Sequence, residues 1–189
     1  MRIEVPEKFE ILVLTGPECS GKTTCSERLS KKYNLPRVSE YARQYLTEFG
    51  PKYDFQDLQK ITIQQLENER EAHSKHPFII CDTDIVTLEI WSREVFSRSL
   101  KIEDERATRK FYLLSYPDIP WESDPLRENP TDRLRLFDLY EEYLIANDLP
   151  YIVLKEEDRK SLTLSSNRIF RQKNEVTIPA SNRQSNSNP

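Results

Sequence analysis

Two features of the sequence predict an α/β fold, a five-stranded parallel sheet with helices on both faces. Short apolar, β-branched runs alternate with longer amphipathic stretches, the pattern of strands joined by crossover helices. Between the first such run and the first helical stretch stands Gly16-Pro17-Glu18-Cys19-Ser20-Gly21-Lys22-Thr23, which fits the phosphate-binding pattern G-x-x-x-x-G-K-[ST]. The chain has three glycines in 189 residues, and two of them stand in this loop.

The elements follow in order. Residues 9–15 are apolar and read as a buried strand leading into the loop. After the loop, Cys25, Leu29 and Tyr33 recur at helical spacing. Leu35 to Val38 is a short second strand, and Tyr41 to Phe49 a helix that stops at Gly50-Pro51. Asp54 is placed to cap a long helix to about Ser74, with Phe55, Leu58, Ile61 and Leu66 on its apolar face. Phe78 to Cys81 is a third strand, followed at once by Asp82-Thr83-Asp84 and a helix to Phe96 that carries Val86, Ile90 and Trp91 inward. Phe111 to Leu114 is the fourth strand, and 117–131 an irregular, proline-rich loop. Residues 132–146 form an amphipathic helix and 151–154 the fifth strand. One folded unit over 1–160 is expected, with a Ser- and Asn-rich tail over 161–189 too polar to bury apolar surface and so poorly ordered.

Composition narrows the function classes. A net charge of -4 gives no basic footprint for nucleic acid. No apolar run is long enough to span a membrane, and Met1 to Lys8 lacks the apolar core of a signal peptide, so the expected location is cytoplasmic. Cys19, Cys25 and Cys81 have no metal-ligand spacing and fit a reducing compartment. Cys19, inside the loop, reads either as a reactive thiol lowered by the helix N-terminus or as a small residue the loop tolerates.

Gly16, Pro17, Glu18, Cys19, Ser20, Gly21, Lys22, Thr23 and Thr24 are the candidate nucleotide-binding residues. The glycines permit a backbone that turns N–H groups toward phosphate oxygens, and the helix N-terminus adds partial positive charge. Lys22 is expected to reach the β- and γ-phosphates of ATP, and the Thr23 hydroxyl to bind Mg²⁺. In a parallel sheet, ligands collect at the carboxyl edge of the strands, where Glu40, Asp82 and Asp84 fall. Asp82 can hold Mg²⁺ through water and Asp84 face an acceptor ribose, or the roles can be exchanged; an Asp before a helix also serves as an N-cap. Glu40 is a candidate general base or hydroxyl ligand, with a surface carboxylate as the alternative. The segment Pro120 to Arg133 behaves as a lid whose Arg127 and Arg133, backed by Arg135, can neutralise a transferring phosphoryl group. Trp121 either stacks on a flat ring or anchors the lid. Trp91 reads as core.

Together, Gly16 to Thr24, Glu40-Tyr41-Ala42-Arg43, Cys81-Asp82-Thr83-Asp84, Pro120-Trp121 and Asp124-Pro125-Leu126-Arg127 resemble the nicotinamide riboside kinase domain. That domain is the C-terminal part of the bifunctional bacterial NAD-biosynthesis regulator, and a related domain occurs alone as an AAA-type ATPase. The resemblance spans about residues 9 to 155. It implies a nucleoside-kinase-like P-loop fold and ATP-dependent phosphorylation of a ribosyl nucleoside at its 5′-hydroxyl, namely nicotinamide riboside to nicotinamide mononucleotide. It also implies Lys22 and Thr23 on ATP and Mg²⁺, Asp82 and Asp84 on metal and ribose, and Arg127 and Arg133 acting from the lid. A closing helix is implied after the fifth strand; Glu157-Asp158-Arg159 begins one, and the Ser-, Asn- and Gln-rich residues beyond continue it poorly. The competing class is a regulatory ATP-binding domain without a small acceptor. A GTP switch is disfavoured, since D-x-x-G and N-K-x-D are absent. Oligomeric state is not encoded in any feature of the chain.

Overall fold

The computed structural model describes residues 1–127 and 129–165. Five parallel strands form the main sheet: β2 (Ile11–Thr15), β3 (Arg37–Val38), β4 (Ile79–Asp82), β5 (Lys110–Ser115) and β6 (Tyr151–Leu154). Their order across the sheet is β3-β4-β2-β5-β6, so β2, which delivers the phosphate loop, is central. Every residue of β2, β4 and β5 is buried, as a strand covered on both faces requires. The predicted five-stranded parallel α/β architecture is the one observed.

Alternation along these strands divides the core. Leu12, Leu14, Ile80 and Leu113 point to one face, where Cys25 and Leu29 of α1 (Lys22–Tyr33) cover them. Ile11, Val13, Cys81 and Tyr112 point to the other, under Val86 and Ile90 of α4 (Ile85–Phe96) and Phe137 and Tyr140 of α5 (Arg133–Ala146). A third cluster joins α2 (Tyr41–Phe49), α3 (Phe55–Lys75) and α4 through Ala42, Leu58, Ile61 and Leu88. The predicted Asp54 cap is present and reciprocal: Asp57 N donates to Asp54 Oδ1 at 2.9 Å, and Asp54 N donates to Asp57 Oδ2 at 3.1 Å.

Two elements differ from expectation. Arg2–Glu4 form β1, which pairs in parallel with β7 (Thr163–Ser165) in a separate two-stranded sheet. Ile3 and Leu164 from this pair, with the flanking Val5 and Leu162, pack into the α1-side core. The poorly ordered tail expected from residue 161 is not what 161–165 form: α6 (Glu156–Ser161) ends on Ser161 and the packed chain continues through 165. The physical reason is the alternation of Leu162 and Leu164, which gives a polar-looking stretch one apolar edge. The remainder of that predicted tail lies outside the described residues. No helix among the described residues is long and apolar enough to cross a membrane.

Candidate active site

The loop between β2 and α1 has the backbone its sequence demands. Gly16 lies at φ +127°, and a Cβ there would stand 2.7 Å from the Ser115 carbonyl oxygen. Gly21 lies at φ +79°, beneath the Arg159 side chain. Cys19, at φ 50°, adopts the left-handed region without being glycine. Lys22 Nζ turns back over the loop and donates to the carbonyl oxygens of Gly16 (2.8 Å) and Pro17 (2.6 Å). Burial lowers the Lys22 pKa, partly offset by the nearby carboxylates of Glu40, Asp82 and Glu18. Thr23 and Thr24 are exposed at the first turn of α1.

The loop floors a cavity of 430 Å³ that contains all nine residues from Gly16 to Thr24. Its far end is lined by Glu40, Ala42, Arg43 and Leu46 from the α2 region, Thr87, Ile90 and Trp91 from α4, and Leu136 and Tyr140 from α5. Burial is the main cause that pushes the Glu40 carboxyl above the usual carboxylate range, opposed by Lys22. Thr87, on the cavity wall, has its Oγ1 3.2 Å from Thr15 Oγ1. Trp91, expected in the core, packs against the third cluster and also lines this chamber, with its Nε1 donating to Tyr53 Oη at 2.8 Å. Thr87 and Tyr140 carried no recognisable signal, because their helical spacing is that of ordinary packing.

Asp82 and Asp84 part company. Thr83 between them sits at φ 78°, strained for a β-branched residue, and its N–H donates to Leu14 O at 3.0 Å. Asp82 shares the α1 face with Ile80. Its Oδ2 accepts from Arg37 Nη1 at 2.9 Å, while its buried Oδ1 has no hydrogen-bond partner among the described residues. Thr23, Arg37, Glu40 and Asp82 line a second cavity of 560 Å³ beside the loop. Asp84 goes to the opposite face and is fully buried. Its Oδ1 caps α4 by accepting from Val86 N (3.0 Å), and its Oδ2 accepts from Lys110 Nζ (2.9 Å) and Tyr112 Oη (2.8 Å). The expectation that Asp84 faces an acceptor ribose is therefore corrected: it lines neither cavity, and both its oxygens are committed to the interior.

Lys110 also meets Glu69 at 2.8 Å and Asp104 at 2.7 Å, so three buried carboxylates surround one ammonium. Burial alone would lower the Lys110 pKa, but Asp84, Glu69, Tyr112 and Asp104 together hold it well above its ordinary value. Sequence reading missed this cluster, since Lys110 stands at a strand start where a lysine is ordinarily solvated.

The lid lies down on the loop. Cys19 Sγ is 3.4 Å from Pro120 O and 3.3 Å from Glu122 N, and Asn129 N donates to Glu18 Oε1. Arg43 of α2 meets Asp124 of the lid at 3.0 Å. Arg127 lines the main cavity and donates through Nη1 to Glu122 O at 2.6 Å. Arg133 does not line that cavity: its Nη1 donates to Cys19 O (2.9 Å) and Ile119 O (3.0 Å), so it ties lid to loop and its expected place on the phosphoryl group is corrected. Arg135 pairs with Asp132 and Glu94 at the surface. Trp121 lies against both lid arginines, at 6.0 Å from Arg127 and 5.8 Å from Arg133, as a lid anchor. The buried Arg159 of the closing helix donates to Tyr116 O (3.0 Å), Leu154 O (2.6 Å) and Asp118 Oδ1, bracing the wall beside Gly21.

A β-strand, glycine-bounded loop, helix and buried strand-end carboxylate on this sheet order define a P-loop nucleotide-binding domain. Residues 11–161 match the AAA domain family, and the chain belongs to it. It is also similar to the trifunctional NAD biosynthesis/regulator protein NadR of Escherichia coli, at 27% identity over 163 residues, 79% of this chain and 39% of NadR. The chain thus spans about two fifths of the length of the curated relatives it matches. Two crystal structures of NadR share the fold. The complex with NAD and AMP-PNP has a TM-score of 0.59 at 16% identity, covering 90% of this chain and 50% of that one. The complex with NR has a TM-score of 0.60 at 17% identity, covering 77% and 43%.

Proposed function

We propose that this protein transfers the γ-phosphoryl group of ATP to the 5′-hydroxyl of a ribosyl nucleoside, with nicotinamide riboside, giving nicotinamide mononucleotide, as its substrate. The observation that carries this reading is the continuity of one cavity from the phosphate loop to the chamber of Glu40, Ala42, Leu46, Ile90 and Trp91. Apolar walls with a few charged groups suit a flat base and its ribose. The names of the relatives, NAD biosynthesis in one and bound NAD, AMP-PNP and NR in the others, support the choice of nucleotide and acceptor.

Each group has a task in this reading. Lys22 exchanges its carbonyl partners for β- and γ-phosphate oxygens, and loop N–H groups take the rest. Glu40, made more basic by burial, accepts the proton of the attacking hydroxyl. Arg127 approaches the transferring group from the lid, and Arg133 keeps the lid seated. The unpartnered Asp82 Oδ1 and the exposed Thr23 hydroxyl, on one cavity, fit a hydrated Mg²⁺. Asp82 and Thr23 would hold the ion, which would supply positive charge to offset that of the phosphates.

The test is product analysis by phosphorus NMR after incubation with Mg²⁺, ATP and nicotinamide riboside. One mononucleotide per ADP is expected. ATP binding without phosphorylation of this or any other ribosyl nucleoside would overturn the reading and leave a regulatory ATP-binding domain.

A further inference from the structure

Beside the loop, Arg37 of β3 is, among the described residues, the strand cation paired with Asp82, the carboxylate proposed for magnesium. It is opposite Ile80 in the β3–β4 register, and Asp82 lies two residues further along the same strand on the same face. Side chains so placed meet diagonally across a sheet. The guanidinium bonds Asp82 Oδ2 through Nη1 at 2.9 Å, and the same nitrogen is 3.4 Å from Ser26 Oγ of α1. Nη2 turns away from the carboxylate and meets Glu27 Oε1, also of α1, at 3.4 Å. The Arg37 side chain is 20% exposed and that of Asp82 3%.

We propose that Arg37 is a positioning residue for the magnesium carboxylate: it fixes Asp82 by one oxygen, and leaves Oδ1 as the oxygen available to the hydrated cation. The inference rests on the reading of Asp82 and Thr23 as the Mg²⁺ side of an ATP site. Two features separate positioning from competition. An arginine standing in for a cation would engage both carboxylate oxygens through its planar fork. This one engages a single oxygen, and its other arm is tethered to α1, the helix that carries Thr23. Oδ1 meanwhile is buried and unpaired among the described residues, a disfavoured state that a water of the cation's shell relieves. Tethering Asp82 to α1 also sets its distance from the Thr23 turn.

The test is calorimetric affinity for AMP-PNP, with EDTA and with saturating Mg²⁺, on the full chain and its variants, with a melting temperature for each. Arg37→Ala is expected to bind AMP-PNP in EDTA as the parent does, and to lose roughly ten-fold or more of the enhancement by Mg²⁺. Arg37→Lys, with one donor and no fork, restores part of it. A merely structural role would weaken both conditions alike, together with the melting temperature. If Arg37→Ala does not fold, Glu27→Ala decides the matter: it cuts the exposed arm of the tether and is expected to reduce the Mg²⁺ enhancement by a smaller factor. A parent protein with no Mg²⁺ enhancement would sink the assignment of Asp82 and Thr23, and the inference with it. A parent with normal enhancement, and variants that retain or exceed it, would overturn the role of Arg37 alone.

Discussion

At the scale of the residue, the loop glycines were legible because only glycine fits where they stand. Gly16 combines a left-handed φ with a carbonyl 2.7 Å from where its Cβ would be, and the motif encodes that constraint directly. Lys22 follows from the same motif, and Lys22→Ala is expected to abolish turnover while the melting temperature is held, as read by steady-state rates and thermal unfolding. Glu40 was legible as a strand-end carboxylate, but its raised pKa was not, because burial is a property of the assembled cavity. A base acts in its ionised form, so kcat/KM is expected to fall as pH drops through the raised Glu40 pKa. The acid limb should lie above the ordinary glutamate value of about 4.3. Glu40→Gln should remove that limb and lower kcat by about 10²–10⁴-fold, measured as a pH–rate profile. A limb at the ordinary value would detach Glu40 from the chemistry. The two aspartates looked equivalent in sequence, since nothing in D-T-D announces the left-handed turn at Thr83 that sends them to opposite faces.

At the scale of the element, the lid and the Lys110 cluster behave differently from what their composition suggests. The proline-rich segment was legible as a lid, but the division of labour between its arginines depends on contacts made across more than a hundred residues, through Cys19. Arg127→Ala is expected to lower kcat more than it weakens ATP binding, and Arg133→Ala to loosen the lid and raise KM as well, both read from full kinetic profiles. On the opposite face, Lys110 ties β5 to α3, to α4 and to the Asp104 turn. Lys110→Met would leave three buried carboxylates without their cation and is expected to cost about 3–5 kcal/mol in urea unfolding. Its raised pKa places the sign: the stabilisation is full below the ordinary lysine value and is lost only as pH rises through the higher folded one, so it is intact at neutral pH. Asp84 belongs to this cluster, so Asp84→Asn is expected to lower the melting temperature along with activity.

At the scale of the whole molecule, the sheet was legible because β2, β4 and β5 are buried on both faces and so read as continuous apolar runs. The small β1–β7 sheet was not, because it joins residues some 160 positions apart and each strand is only three residues long. The site gathers groups from the phosphate loop, α1, α2, α4, α5 and the lid around one cavity, and the central claim is that ATP and a nucleoside meet in it. Initial-rate ADP release from ATP and Mg²⁺, with and without nicotinamide riboside and a panel of other nucleosides, tests that claim most directly. The account predicts release that depends on a ribosyl nucleoside, saturates with it, and vanishes in Lys22→Ala. Release at one slow rate whatever nucleoside is added would contradict it.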